Sequence, residues 1–208
     1  MTALLDARAS AVTPGGLPAA ADSWVRQAPW LATGAILVAS AALLRINGRL
    51  WWCACGELTP WVSDTLGPHN SQHLFDPYSF IHVLHGLLFF WLFAWACPRL
   101  APTWRVCLAV ALSASWELFE NSEFVIQRYR AATASAEYAG DTIANSLGDI
   151  LSCALGFGLA SRLGFRGSIV CILVTELVLL LWIRDNLLLT IVMLVCPFEG
   201  IKAWQTGG

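Results

Sequence analysis

Residues 79–97 read SFIHVLHGLLFFWLFAWAC, and this stretch decides the fold of the chain. The run is long enough to cross a bilayer as a helix, because a crossing needs about 20 predominantly apolar residues. Its two histidines, His82 and His85, are three residues apart and therefore share one face of that helix. Ionisable side chains are costly inside a membrane, so their presence in this run predicts a functional polar site between helices.

The composition of the whole chain agrees with a membrane protein. Of its 208 residues, 57% are hydrophobic and 12% are charged, and the mean hydropathy is +0.63. Ordinary soluble chains have about 45–50% apolar and about 25% charged residues. The 12 basic residues against 14 acidic ones leave no surplus of positive charge for a nucleic acid. These figures exclude a nucleic-acid binder, a disordered chain and a coiled coil, and they argue against a soluble enzyme.

Several other apolar runs resemble residues 79–97 in length. The predicted spans are about 29–44, 79–97, 103–121, 141–162 and 168–183, and residues 187–204 form a short sixth segment whose crossing is left open. Neither strand-like alternation nor an internal repeat is present. We therefore predict an all-α fold, a polytopic transmembrane helical bundle with five or six spans. Residues 1–28 are predicted to be a disordered tail, and residues 29–205 a single integral-membrane domain.

The arginines next to the spans favour a cytoplasmic N-terminus, because positive charge accumulates on the inner side. This orientation places the short connections, residues 98–102 and 163–167, in the cytoplasm. The long loops, residues 45–78 and 123–140, then lie in the periplasm.

Two further spans carry polar stripes. Glu117 and Glu120 are three residues apart, whereas Asp141, Asn145 and Asp149 recur at every fourth residue. Spans two and four begin at the outer face, and span three ends there. With a rise of about 1.5 Å per residue, the polar residues of all three spans therefore lie at the same depth in the membrane. This convergence predicts a single polar site near the periplasmic leaflet.

The residue types in this site suit a metal centre or a proton-handling centre. The candidate catalytic residues are His82, His85, Glu117, Glu120, Asp141, Asn145 and Asp149. The candidate ligands of a divalent metal ion are His82, His85, Glu117, Glu120 and Asp141. Candidate groups for an anionic substrate are Arg128, Arg130 and Arg184. The competing interpretation is a hydrogen-bond network that only holds the helices together.

The loop before span two contains a second pattern of metal-binding residue types. Cys53 and Cys55 are followed at a distance by His69 and His73, an order similar to zinc-ligand spacing. A strained local disulfide or a pair of free thiols competes with that interpretation. The other five cysteines lie in or at the ends of apolar runs and are predicted to be small apolar fillers.

Many ordered motifs in this chain resemble one family of bacterial multi-pass inner-membrane proteins that is known as a domain of unknown function. The motifs are Arg49 to Gly56, Asn70 to His73, Asp76 to Ser79, His82 to Gly86, Trp116 to Ser122, Arg128 to Arg130, Gly140 to Ser146, Ile183 to Asn186 and Trp204-Gln205. The resemblance covers about residues 45–205 and implies a location in the bacterial cell inner membrane, in contact with the lipid bilayer. A fainter similarity to VanZ-like membrane proteins rests on Asp141, Asn145 and Gly148 and concerns architecture alone.

Two functions from different classes fit these observations. The first is an intramembrane, metal-dependent enzyme that acts on a lipid or lipid-linked head group. The second is a non-catalytic membrane protein, either a transporter with a proton or ion site or an assembly factor with a polar core. An enzyme needs a cavity that head groups can reach, whereas a packing cluster needs every polar group to be satisfied.

Overall fold

The computed structural model describes residues 19–207, and the side chains of residues 19–23 and 25 are not described. This part of the chain forms seven helices: α1 (Ala19–Ile46), α2 (Ser79–Ala96), α3 (Pro102–Glu120), α4 (Glu123–Ala132), α5 (Ile143–Ile183), α6 (Leu187–Val195) and α7 (Glu199–Gln205). Within it the β-structure is limited to one isolated bridge, between Trp61 and Phe75. The predicted all-α fold is therefore confirmed. Of the predicted tail, residues 1–18 lie outside the described residues, and α1 begins at Ala19.

Individual residues at the helix N-termini determine where α3, α4, α5 and α6 begin. Pro102 occupies the start of α3, where its missing N–H leaves no helical hydrogen bond unmade. The side chains of Ser122, Thr142 and Asn186 accept hydrogen bonds from the first turns of α4, α5 and α6. Such caps satisfy N–H groups that a helix cannot satisfy itself.

The longest helix, α5, is a hairpin of two antiparallel halves. It spans 41 residues, but Gly164 has a positive φ of 67° and breaks the helical path. Three hydrogen bonds give the direction of each half relative to α2: Ser79 to Asp149, Trp91 to Ser168, and Tyr78 to Asp185. The first half therefore runs alongside α2 in the same direction, and the second half returns to the level where α2 begins.

Three helices are long and apolar enough to cross a membrane: residues Arg26–Ile46 of α1, the whole of α2 and the whole of α5. This number is smaller than the five or six spans predicted from the sequence. The charged side chains of Arg105, Glu117 and Glu120 make α3 more polar than the other three. The two halves of α5 correspond to two predicted spans but count as one helix of 41 residues, and α6 has only nine residues.

The contact between α2 and the first half of α5 depends on two glycines. A Cβ atom at Gly86 would overlap the carbonyl oxygen of Cys153, and one at Gly156 would overlap the carbonyl oxygen of Val83. Only a residue without a side chain lets the two backbones approach this closely. The approach brings the histidine face of α2 against α5.

Large apolar side chains cover the outside of the bundle. Trp95 is 81% exposed, and Leu181 and Val38 are exposed to a similar degree. Smaller apolar clusters fill the interior, where Val110 and Ala114 of α3 contact Ile150 of α5. The outer surface therefore carries many large apolar side chains.

The loop between α1 and α2 closes one end of the bundle. The carbonyl oxygens of Leu50 and Trp51 accept hydrogen bonds from the backbone N–H groups of Ile143 and Ala144, at 2.8 and 3.2 Å. Later in the same loop, the carbonyl oxygen of Ser71 accepts the N–H of Thr142 at 3.0 Å. Two distant parts of this loop are thus fixed to the beginning of α5.

We predict that Gly156→Ala lowers the stability of the protein, because the added methyl group must push α5 away from Val83. The expected loss is about 1–3 kcal/mol, the usual cost of overpacking. The control is Gly158→Ala, where a Cβ atom meets nothing within 4 Å. Thermal unfolding of both variants in one detergent measures the effect. Equal midpoints for the two variants would contradict the close contact.

Candidate functional site

A polar cavity of about 170 Å³ lies where α2 begins and α3 ends. Its ionisable wall consists of His82, His85, Glu120, Asp141, Asp149 and Asp185. Three tyrosines, Tyr78, Tyr129 and Tyr138, complete the polar lining. Apolar residues of α6 also line it, namely Leu187, Ile191 and Leu194. The cavity is therefore amphiphilic.

His82 lies between the acidic residues of two other helices. Its Nδ1 atom is 3.4 Å from Oε1 of Glu117, and its Nε2 atom is 3.7 Å from Oδ2 of Asp149. The i, i+3 spacing on α2 places His85 on the same face, and its ring meets that of His82 edge-on at 5.3 Å between centroids. The structure thus brings together residues from all three predicted polar stripes.

Glu117 is buried without a hydrogen-bond partner. Its side chain is 0% exposed, and among residues 19–207 neither carboxyl oxygen accepts a hydrogen bond. Nδ1 of His82 is similarly unpartnered, because its orientation toward Glu117 is not that of a hydrogen bond. Leaving such groups unpaired costs about 1–3 kcal/mol each and more for a charged group. The described side chains therefore leave both of these buried groups without a hydrogen-bond partner.

Three side chains are close enough to share a metal ion. His82, Glu117 and Glu120 each offer one ligand atom, and these atoms lie within 4.8 Å of one another. One imidazole nitrogen and two carboxylate oxygens suit a divalent cation such as zinc or manganese. The other predicted metal ligands, His85 and Asp141, are not in this group.

Asp141 has hydrogen-bond donors within the chain. Its carboxylate accepts hydrogen bonds from the Tyr138 hydroxyl at 2.8 Å and from Nδ2 of Asn121 at 2.9 Å. Burial raises the pKa of Asp141 above its ordinary value, and these donors partly offset that effect. Asn145, another predicted site residue, donates to Asp76 at 3.4 Å and does not line the cavity. The hydrogen bonds of Asp141 and Asn145 are typical of a network that holds neighbouring segments of the chain together.

The sequence prediction did not include Asp76. Its carboxylate accepts hydrogen bonds from the backbone N–H groups of Tyr78 at 2.7 Å and Ser71 at 3.2 Å, which joins the loop to the start of α2. Burial raises the pKa of Asp76 to about 6. The available signal was its position just before Pro77, Tyr78 and the first turn of an apolar run.

Asp185 also contributes to the cavity, although its sequence position marks only the end of a span. The Tyr78 hydroxyl donates to Asp185 at 3.3 Å, and burial raises the pKa of this carboxyl to about 6. The hairpin in α5 brings Asp185 back to this level. Its proximity to Tyr78 therefore depends on tertiary structure that no spacing in the sequence reveals.

The three predicted substrate-binding arginines do not line the cavity. Arg128 donates to the carbonyl oxygens of Leu194 and Val195, and Arg130 donates to that of Tyr138. Arg184 donates to the carbonyl oxygen of Trp204 at 2.9 Å. Because the guanidinium groups are occupied by backbone carbonyls, these contacts favour a role in fixing α4, α6 and α7. A substrate contact for them stays a prediction.

Together, the fold and the cavity define an all-helical protein with apolar outer helices and a buried cluster of histidines and carboxylates. The chain belongs to the family described as "Protein of unknown function (DUF2585)", whose profile matches residues 44–207. This match confirms the resemblance to an uncharacterised family.

Curated relatives from several bacteria support this assignment. The "UPF0314 protein" of Brucella anthropi is 44% identical over 173 residues, which cover 83% of this chain and 88% of that protein. The "UPF0314 protein" of Paracoccus denitrificans is 41% identical over 183 residues, covering 86% of this chain and 93% of that protein. A "UPF0314 protein" of Rhizobium meliloti is 41% identical over 187 residues, with 89% and 95% covered. No solved structure matches the chain significantly.

Proposed function

We propose that this chain is a multi-pass protein of the bacterial inner membrane that uses a divalent cation to act on a lipid or lipid-linked head group. The observation that carries the proposal is the buried, unpartnered carboxylate of Glu117 beside His82 and Glu120. A bound cation would give these groups the partner that the described side chains do not supply.

The exposed apolar surface supports the membrane location. Exposure of large apolar side chains such as Trp95 and Leu181 to water is unfavourable, whereas their exposure to lipid is favourable. The three long apolar helices agree with this location.

We further propose five crossings, which are α1, α2, α3 and the two halves of α5. The 41 residues of α5 would extend about 62 Å as one straight helix, about twice the hydrocarbon core. The 19 residues of α3 give about 29 Å, enough for one crossing. Because α1 and α5 contact α3, its buried acidic residue Glu117 faces protein and not lipid. The N-terminus would then be cytoplasmic, and the cavity would open near the periplasmic leaflet.

The charge of the cavity favours a cation. Four carboxyl groups line it, and no lysine or arginine side chain does so within the described part of the chain. Apart from Arg49, which acts on Asp141, no positive charge among residues 19–207 is shown to offset these buried carboxylates. Buried carboxylates repel one another, and bound protons or a metal ion relieve that repulsion. An anionic head group could therefore enter this cavity only when the cation is bound there.

The amphiphilic lining suits a lipid-linked substrate. A head group would contact the polar wall at Tyr78 and Tyr138, and an acyl or isoprenoid chain would contact Leu187 and Ile191. A divalent cation polarises a phosphoryl or carbonyl oxygen and lowers the pKa of a bound water. Asp149, on the cavity wall and 3.7 Å from His82, is the best-placed group to accept a proton.

A purely structural cluster fits these observations less well. Such a cluster would satisfy each buried polar atom, yet among the described residues Glu117, His82 and Asn145 have buried atoms without a hydrogen bond. The cavity also leaves space for a ligand beside His82.

We predict that the detergent-purified protein contains a divalent transition metal and that Glu117→Gln reduces its content by about one equivalent per chain. The substitution replaces a charged oxygen ligand with a neutral amide, which binds such metals poorly. The control is Glu123→Gln, at an exposed glutamate on α4. Elemental analysis measures both variants. The same metal content in both would refute the metal centre.

The five crossings predict where reporter enzymes are active. Alkaline phosphatase needs the periplasm to fold, so a fusion after Arg166 should be inactive, because the turn of α5 lies in the cytoplasm. Fusions after Gly140 and after the C-terminus should be active. Activity of the Arg166 fusion would show that the turn is not cytoplasmic and would contradict the hairpin crossing.

An enzyme of this kind should alter the lipid pool of the cell. We predict that deletion of the gene causes one lipid or lipid-linked intermediate to accumulate, as measured by comparative mass spectrometry of membrane extracts. Wild-type protein and the Glu123→Gln variant should restore the pool, whereas Glu120→Gln should not. An unchanged pool, with the metal centre intact, would count against catalysis and favour an ion transporter.

A further inference from the structure

A second group of metal-binding side chains lies in the loop between α1 and α2. Cys53, Cys55, His69 and His73 each offer one ligand atom, and the four atoms lie within 4.8 Å of one another. We propose that these residues form a structural zinc site. The proposal is independent of the function assigned to the cavity.

The distances between ligand atoms match a tetrahedral zinc ion. Sγ of Cys53 is 3.4 Å from Nδ1 of His69, and Sγ of Cys55 is 3.7 Å from Nε2 of His73. Zinc binds sulfur at about 2.3 Å and imidazole nitrogen at about 2.0–2.1 Å, so a tetrahedron around it separates sulfur and nitrogen by about 3.6 Å. Both observed separations are close to this value.

The imidazole of His73 is oriented as a zinc ligand. Its Nδ1 atom is 2.7 Å from the carbonyl oxygen of Thr59, and because a carbonyl only accepts, Nδ1 must donate. The proton is therefore on Nδ1, which leaves the lone pair of Nε2 directed at Cys55. A carbonyl behind a histidine ligand commonly fixes its tautomer in this way. The His73 side chain is also buried, at 2% exposure, which limits its movement.

The backbone supports the same arrangement. Residues 69–73 form a turn in which Ser71 has a left-handed φ of 58°, and this turn places the rings of His69 and His73 side by side at 5.9 Å. At the other end of the loop, the N–H of Cys55 donates to Sγ of Cys53 at 3.3 Å. Backbone N–H groups of this kind stabilise thiolate ligands.

The ligand set determines both the metal and its role. Two thiolates and two imidazoles in a tetrahedral arrangement are typical of zinc. Four protein ligands fill the coordination sphere, so the ion would have a structural role and no open position for a substrate.

The site would connect the loop to the cavity. Its cysteines follow Leu50 and Trp51, whose carbonyls accept the first N–H groups of α5. Its histidines enclose Asn70 and Ser71, which line the cavity. One zinc ion would therefore hold both ends of the loop and fix the rim of the cavity.

Zinc content and cobalt substitution test the site on the intact protein in detergent, purified without chelator. We expect Cys55→Ser to lose about one zinc per chain relative to Cys196→Ser, which changes another exposed cysteine. Cobalt(II) in the wild-type protein should give the near-ultraviolet charge-transfer band of thiolate ligands. His82→Ala should retain this band, which separates the site from the metal centre in the cavity.

The wild-type measurements decide the proposal even if Cys55→Ser does not fold. The proposal is overturned if the wild-type protein lacks the thiolate–cobalt band, or if intact-mass analysis shows a disulfide between Cys53 and Cys55. Copper in place of zinc at these four residues would also overturn it.

Discussion

The close backbone contact between α2 and the first half of α5 determines the rest of the structure. Gly86 and Gly156 permit this contact, and it brings His82 of α2 against Asp149 of α5. Glu117 reaches the same point from α3, so three helices share one buried polar cluster. Burying these ionisable groups opposes folding unless favourable interactions compensate for their loss of hydration. The glycine contact and the polar cluster therefore belong to one arrangement. In it, the packing of α2 against α5 offsets the free-energy cost of burying the polar groups.

Much of the fold could be predicted from residues that act locally. The apolar run at 79–97 matches α2, and the run at 103–121 matches α3 to within one residue at each end. The break predicted between the fourth and fifth spans falls at Gly164, where the chain turns. The helix α4 was not predicted, because its ten residues are too few for a membrane span and its beginning depends on the Ser122 cap.

The candidate site was predictable where spacing on a helix determines geometry. His82 and Asp149 lie near the starts of α2 and α5, and Glu117 lies near the end of α3. These three positions are at the same level of the bundle, so the side chains meet. Asp76 and Asp185 could not be assigned in this way, because a loop places Asp76 at the start of α2 and a hairpin brings Asp185 to the cavity. The surroundings of the arginines could not be predicted either: their positive charge suggested an anion, whereas in the folded chain they donate hydrogen bonds to carbonyl oxygens. Charge is visible in a sequence, but its partner is not.

The central claim is that a cation links His82 to Glu117. An experimental structure with anomalous diffraction data, collected at the absorption edge of the metal found in the protein, tests it most directly. The account predicts an anomalous peak about 2.0–2.2 Å from both Nδ1 of His82 and a carboxylate oxygen of Glu117. A direct hydrogen bond between these two side chains, with no peak beside them, would contradict it and favour a cluster that only stabilises the helices.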